Sequence, residues 1–157
     1  MGATNAHDFK VCQYQGQPHL CVTQVNQQSG YGVGQDLILD SNYRIVAQVQ
    51  TGGDAMPADM HEFQLVDNGN NGSNALVTSY HVIPYDLSHW NITTGQGWLT
   101  ASMFQEIDVQ TGAVLFEWYS TNHVDPTDTV VMINDTRTAG VGDGLTPSTP
   151  FDYLWVL

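Results

Sequence analysis

The 157-residue sequence has very few basic residues: three Lys and Arg together stand against 16 Asp and Glu, which gives a formal net charge of −13. A chain of this charge repels polyanions, so nucleic acid and anionic membranes are poor partners. No apolar run approaches the roughly 20 residues that span a bilayer. The first residues, 1–5, carry no charged and apolar leader pattern. We therefore expect a soluble chain without a secretion signal.

Helical periodicity is also missing, although hydrophobic residues make up 41% and aromatic residues 10% of the chain. This content suits one folded domain. Apolar and polar residues alternate in short runs that are separated by Gly and Asn, a pattern that is typical of β-strands. We predict an all-β protein with eight strands, four in each half of the chain, at residues 9–14, 19–25, 36–40, 44–50, 61–67, 75–80, 104–109 and 114–120.

The two halves of the chain begin alike, with His7-Asp8-Phe9 and His61-Glu62-Phe63. A four-stranded unit that is used twice predicts β-propeller blades. We place these blade-like units at about residues 7–51 and 61–121, with an irregular segment and the start of a further blade at 122–157. Because propellers typically close with four to eight blades, we expect the remaining blades or further copies of the chain to complete the ring.

Cys12 and Cys21 flank turn-forming residues. A hairpin loop centred on Gly16 and Gln17 would place the two cysteines directly opposite each other, at a spacing near that of a disulfide. We expect a cross-strand disulfide; the alternative is a pair of small buried thiols that stay reduced.

Three asparagines, at positions 71, 91 and 134, each begin an acceptor triplet for N-linked glycans. Together with the scarcity of lysine, these triplets favour a secreted glycoprotein. We therefore predict an extracellular location, with glycans on Asn71, Asn91 and Asn134.

Several segments of the chain resemble the arylsulfotransferase-like propeller proteins, in particular their secreted fungal branch. The resemblance implies a six-bladed β-propeller of which this chain is a partial or truncated member, and it covers most of the sequence. It rests on His19-Leu20-Cys21, Gly30-Tyr31-Gly32-Val33-Gly34, the hairpin from Ile38 to Val46, Asp59-Met60-His61-Glu62-Phe63, Ala75-Leu76-Val77-Thr78, Phe104-Gln105-Glu106-Ile107-Asp108, Thr111-Gly112 and Phe116-Glu117-Trp118.

The resemblance also implies a function: transfer of a sulfuryl group between phenolic compounds through a histidine intermediate, with no nucleotide donor and no cofactor. Small phenols and aryl sulfates would be the ligands. After Asp152-Tyr153 the sequence departs from the family's pattern, so we expect the activity to be incomplete in this chain. The alternative function is a non-catalytic secreted propeller module that binds carbohydrate or protein.

His61 is the main candidate for a catalytic residue, because it lies where the family motif matches. A neutral imidazole has a lone pair available near pH 7, which suits a nucleophile, and a charged imidazole would stabilise developing negative charge. The alternative is a structural histidine whose ring bonds Asp59, Glu62 or a neighbouring blade. His7 holds the matching position in the first repeat and is the second candidate. The histidine spacing matches no closed zinc motif, so we expect no metal.

Overall fold

The computed structural model describes residues 5–27, 32–67, 69, 73–90, 97–128 and 152–156. The described part is all-β, as predicted, and contains three single-turn 3-10 helices but no α-helix. No helix within it is long and apolar enough to cross a membrane. Its strands are β1 (Asn5–Tyr14), β2 (Gln17–Gln27), β3 (Gly32–Leu39), β4 (Ile45–Val49), β5 (Phe63–Val66), β6 (Asn74–Pro84), β7 (Gly97–Asp108), β8 (Val114–Tyr119) and β9 (Asp152–Val156).

The strands form two antiparallel sheets that follow the order of the chain. The first sheet has the order β1-β2-β3-β4 and the second has the order β5-β6-β7-β8. A fifth strand, β9, joins the second sheet by pairing parallel with the beginning of β7. Each half of the chain therefore contains the four consecutive strands that its sequence pattern predicts.

The chain divides into two compact units. The first consists of Met1–Ser79 and Phe104–Trp118, and the second of Tyr80–Met103 and Tyr119–Leu157. In the second unit, Leu87 and Leu99 are fully buried. In the first unit a single core contains residues of both sheets: Tyr14, Cys21, Ile38 and Val49 from the first sheet, and Phe63, Ala75, Val77, Ile107 and Val109 from the second.

The turn of the β1–β2 hairpin lies one residue earlier than the sequence pattern predicts. Tyr14 pairs with Gln17, and the two loop residues, Gln15 and Gly16, have φ angles of 50° and 70°. Two-residue loops with positive φ match the twist of antiparallel strands and are favoured in hairpins. The loop is therefore centred one residue earlier than on Gly16 and Gln17, which changes the register of every pair in the hairpin.

This register corrects the predicted geometry of the cysteines, although the disulfide itself is present. Cys12 lies opposite His19, and Cys21 lies opposite Lys10. The cysteines are thus diagonal neighbours and not directly opposed residues, and their Cα atoms are 5.8 Å apart. This separation lies in the ordinary range for a disulfide, so the bond forms across the hairpin from the diagonal position.

Aspartates shape the two later hairpin turns. Asp40 Oδ1 accepts the backbone N–H groups of Asn42 and Arg44 at 2.8 and 2.9 Å. Asp108 Oδ1 accepts the N–H of Thr111 at 2.8 Å, and the chain then turns through Gly112 with a φ of 72°. Bonds from Arg44 and Thr111, respectively, hold the pKa of each aspartate below its ordinary value. In both turns the aspartate side chain therefore stabilises the turn by accepting backbone N–H groups that lie within it.

Candidate functional site

The structure brings the two repeated triplets together within the first unit. Asp8 Oδ2 accepts the backbone N–H of Phe63 at 2.9 Å. The Lys10 ammonium lies 2.8 Å from Asp8 Oδ2 and 2.8 Å from Glu62 Oε1. A β-bulge between His7 and Lys10, where Asp8 has a φ of 48°, allows this arrangement. We call Asp8, Lys10, Asp59, His61 and Glu62 the triplet site.

Lys10 was not singled out by the sequence, although it is one of only three basic residues and directly follows His7-Asp8-Phe9. Partial burial lowers the pKa of Lys10, but the hydrogen bonds to Asp8 and Glu62 outweigh that effect and raise the pKa above its ordinary value. Lys10 therefore carries its charge at neutral pH. Its ammonium joins the start of β1 to the segment that precedes β5.

His61 lies in the bend before β5, because that strand begins at Phe63 and not at residue 61. Its ring Nδ1 contacts Asp59 Oδ2, and its backbone N–H donates to the same oxygen at 3.1 Å. The His61 side chain is 53% exposed, whereas that of Asp59 is only 1% exposed. A contact with Asp59 is expected if His61 is a structural histidine. The His61 ring nevertheless stays accessible from solution.

Asp59 is itself held in place by backbone groups. Its second oxygen, Oδ1, accepts the N–H of Gly32 at 2.6 Å, and its own N–H donates to the carbonyl oxygen of Thr78 at 2.9 Å. A carboxylate that is fixed in this way takes a hydrogen from Nδ1 of the imidazole and leaves the lone pair on Nε2. This pairing favours the tautomer of His61 that carries its proton on Nδ1 and its lone pair on Nε2.

His7 lies apart from this pair, in a row of polar residues that crosses the first sheet. It pairs with Thr23 on β2, which pairs with Asp36 on β3. Thr23 Oγ1 donates to Asp36 Oδ1 at 2.5 Å. Among the described residues, His7 Nε2 and Asp36 Oδ2 are buried atoms without a hydrogen-bond partner. The structure therefore places the two candidate histidines in different surroundings.

Asp36 was not predicted as a functional residue, but it is the most strongly perturbed acid of the first sheet. Burial raises its pKa from 3.8 to about 7, although the Thr23 hydrogen bond opposes that change. Nearby Asp8 and Asp59 raise the pKa further, and Lys10 lowers it. Since the residue is 0% exposed, its carboxyl group loses most of the hydration that would stabilise the charge.

The electrostatics of the triplet site are dominated by carboxylates. Lys10 already binds two of them, whereas stabilising the charge on a transferring sulfuryl group needs cationic donors that are free to bind it. Arg44 lies in the β3–β4 turn, and Arg137 lies outside the described residues. The triplet site therefore presents an accessible imidazole, but the described part of the chain adds no arginine to it.

No group of three or more His, Cys, Asp and Glu side chains that could hold a metal ion is found among the residues that the structure describes. The predicted glycan acceptors Asn71, Asn91 and Asn134 all lie outside those residues.

The fold and the site together define a class: an all-β chain of two four-stranded meanders, with an aspartate-supported histidine before the second one. Comparison with known families goes further. The family model described as Arylsulfotransferase (ASST) matches residues 11–155. The chain belongs to the arylsulfotransferase (ASST) family, and this membership suggests an arylsulfotransferase-like function. No curated protein matches the chain. No solved structure matches it.

Proposed function

We propose that this chain is the histidine-bearing part of a nucleotide-independent aryl sulfotransferase, which moves a sulfuryl group between phenols by way of His61. The family match supports the reaction class. The observation that carries the choice of residue is the contact between the half-exposed His61 ring and the buried Asp59. This contact supplies an accessible imidazole whose reactive nitrogen is fixed.

The proposed reaction has two displacements at sulfur. In the first, Nε2 of His61 attacks the donor aryl sulfate, so that an N–S bond forms while the bond from sulfur to the phenolic oxygen breaks. The departing phenolate keeps the electron pair and takes a proton from water. In the second, an acceptor phenol loses its proton to water and attacks the sulfur, and the N–S electron pair returns to Nε2. Covalent capture divides one difficult transfer into two easier ones.

Asp59 supports both steps without meeting the substrate. As the imidazole becomes positively charged in the sulfuryl intermediate, the buried carboxylate stabilises that charge through Nδ1–H. The cationic donors for the sulfuryl oxygens would come from residues outside the triplet site. We therefore treat the two four-stranded meanders as blades, at about residues 7–51 and 61–121, of a propeller that further blades or further copies of the chain complete.

We propose that the protein acts outside the cell. The Cys12–Cys21 disulfide supports this location, because such bonds form and persist in oxidising compartments. Occupied glycan sites at Asn71, Asn91 or Asn134 would add to that support.

The test is to trap the intermediate. Wild-type protein is mixed with 4-nitrophenyl sulfate, release of 4-nitrophenol is followed, and the sulfuryl-labelled peptide is located by mass spectrometry under alkaline conditions. We expect one label per chain, on His61, and no label in His61→Ala. Asp59→Asn should keep the fold and lower the rate of labelling roughly 100-fold or more, since the amide presents the wrong group to Nδ1.

His89→Ala serves as the matched control, because His89 is an exposed histidine in the other compact unit. Its labelling should equal that of the wild type. Label on another residue, label that persists in His61→Ala, or no label at all would each contradict the proposal.

A further inference from the structure

A pocket lies on the first unit, among residues that the proposed sulfuryl transfer does not use. Its volume is about 450 Å³, which falls in the usual range for small-molecule sites. Its polar lining consists of three glutamines, one asparagine and one threonine: Gln24, Gln35, Gln50, Asn26 and Thr51. No charged side chain is among the described residues that line it.

The glutamines come from β2, from β3 and from the residue after β4, and they are joined through their amides. Gln35 Nε2 donates to Gln24 Oε1 at 3.2 Å, and Gln50 Nε2 donates to Gln35 Oε1 at 3.4 Å. Gln48 Nε2 donates to the same Gln35 oxygen at 3.4 Å. The ladder therefore orients a row of amides, and it ends at the exposed amide of Gln50, which presents N–H donors and a carbonyl acceptor to a ligand.

The part of the lining that follows Gln50 in the chain is also fixed, and it is partly apolar. Thr51 Oγ1 donates to the carbonyl oxygen of Met56 at 2.7 Å, which closes the loop that carries Ala55 and Pro57 into the lining. Val33 adds a second apolar contact on the side of β3. The pocket thus combines neutral donors and acceptors with small apolar surfaces.

We propose that this pocket binds a neutral polyhydroxylated ligand, namely a saccharide. A hydroxyl group donates and accepts at once, and an amide offers both of the matching groups. A charged ligand would lose hydration without gaining a counter-charge, which is costly, and an anion would also meet the repulsion of a chain with a net charge of −13. The apolar surfaces suit the C–H groups of a sugar ring.

This inference is independent of the proposed sulfuryl transfer, because the pocket shares no residue with the triplet site. An aryl sulfate, which is anionic, is the wrong ligand for it. The chain would therefore hold a carbohydrate at one place whatever chemistry occurs at the other, and loss of His61 should leave carbohydrate binding unchanged.

The experiment screens the 157-residue chain against immobilised neutral oligosaccharides of the cello-, malto-, manno- and N-acetylchito- series, with heparin as the anionic comparison. The best neutral oligosaccharide is then titrated by calorimetry. We expect binding to at least one neutral series. Gln50→Ala and Asn26→Ala should each weaken it roughly 3- to 10-fold, the usual effect of losing a hydrogen bond.

Gln50 and Asn26 are exposed, so these substitutions leave the fold intact, which circular dichroism would verify. Gln64→Ala is the matched control, because Gln64 is an exposed glutamine on β5 outside the pocket, and it should bind like the wild type. Binding to heparin alone, binding to none of the probes, or neutral binding that is unaffected by both pocket variants would overturn the proposal.

Discussion

Replacing the buried Asp36 by Asn should remove the pH dependence of stability that comes from this carboxyl group. Burial raises the pKa of Asp36 from 3.8 to about 7, so the folded protein keeps this proton over a range in which the unfolded chain has lost it. Below about pH 4 Asp36 is protonated in both the folded and the unfolded state, so its ionisation does not change the free energy of unfolding. Between about pH 4 and 7 its contribution to the free energy of unfolding falls as pH rises, and above pH 7 it stays constant.

The size of this pH effect follows from the shift in the pKa of Asp36. One pKa unit corresponds to about 1.4 kcal/mol, so a pKa of about 7 in place of 3.8 makes the contribution of Asp36 to the free energy of unfolding about 4 kcal/mol lower at pH 8 than at pH 3. Asp36→Asn cannot ionise, and its carbonyl oxygen can still accept the Thr23 hydrogen bond. The stability difference between variant and wild type should therefore rise by about 4 kcal/mol from pH 3 to 8, whatever its starting value.

Urea denaturation, followed by tryptophan fluorescence at several pH values, measures this difference directly. Asp54→Asn is the control for the loss of one negative charge, since Asp54 is exposed. A difference between Asp36→Asn and wild type that stays within about 1 kcal/mol across the range would refute the argument, because one pKa unit alone accounts for that much.

Two further predictions concern covalent and steric constraints. Replacing Cys12 and Cys21 by serine opens a loop with a sequence separation of 9 and should lower the free energy of unfolding by about 2 to 3 kcal/mol; an unchanged urea midpoint would be the contrary result. Gly34→Ala should cost about 3 kcal/mol or more, because its Cβ would lie 2.0 Å from the carbonyl oxygen of Gln24. Gly112→Ala, with open space but a φ of 72°, should cost only about 1 to 2 kcal/mol, and equal losses in the two variants would contradict this.

Much of the fold could be predicted from alternation alone, because each strand of an antiparallel sheet buries one face. The main exception is β7, which begins at Gly97 and not at residue 104. Leu99, Thr100 and Ala101 are consecutive buried residues, so this part of the strand does not alternate. The hairpin register was also missed, since it depends on Gln15 adopting a positive φ, which is uncommon for a residue other than glycine.

The candidate site could be predicted only in part, because some of its contacts are local in the sequence and others join distant segments. Asp59 and His61 are close in the sequence, and their contact could be considered from spacing alone. The bond from Lys10 to Glu62 depends on how the two sheets pack, and the row from His7 to Asp36 depends on the exact pairing of three strands. Contacts between distant parts of the chain require the register and the packing, which a single sequence does not specify.

The bulge in β1 has a consequence for aggregation. The order of the first sheet makes β1 and β4 its edges, and an exposed edge is a template on which a strand of another molecule can add. In β1 the bulge interrupts the regular ladder between His7 and Lys10, and it sets the charged Asp8 and Lys10 at this edge. The short β4 carries its own register shift. Both edges therefore discourage the growth of fibrils, and restoring a regular ladder at Asp8 would remove one of these protections.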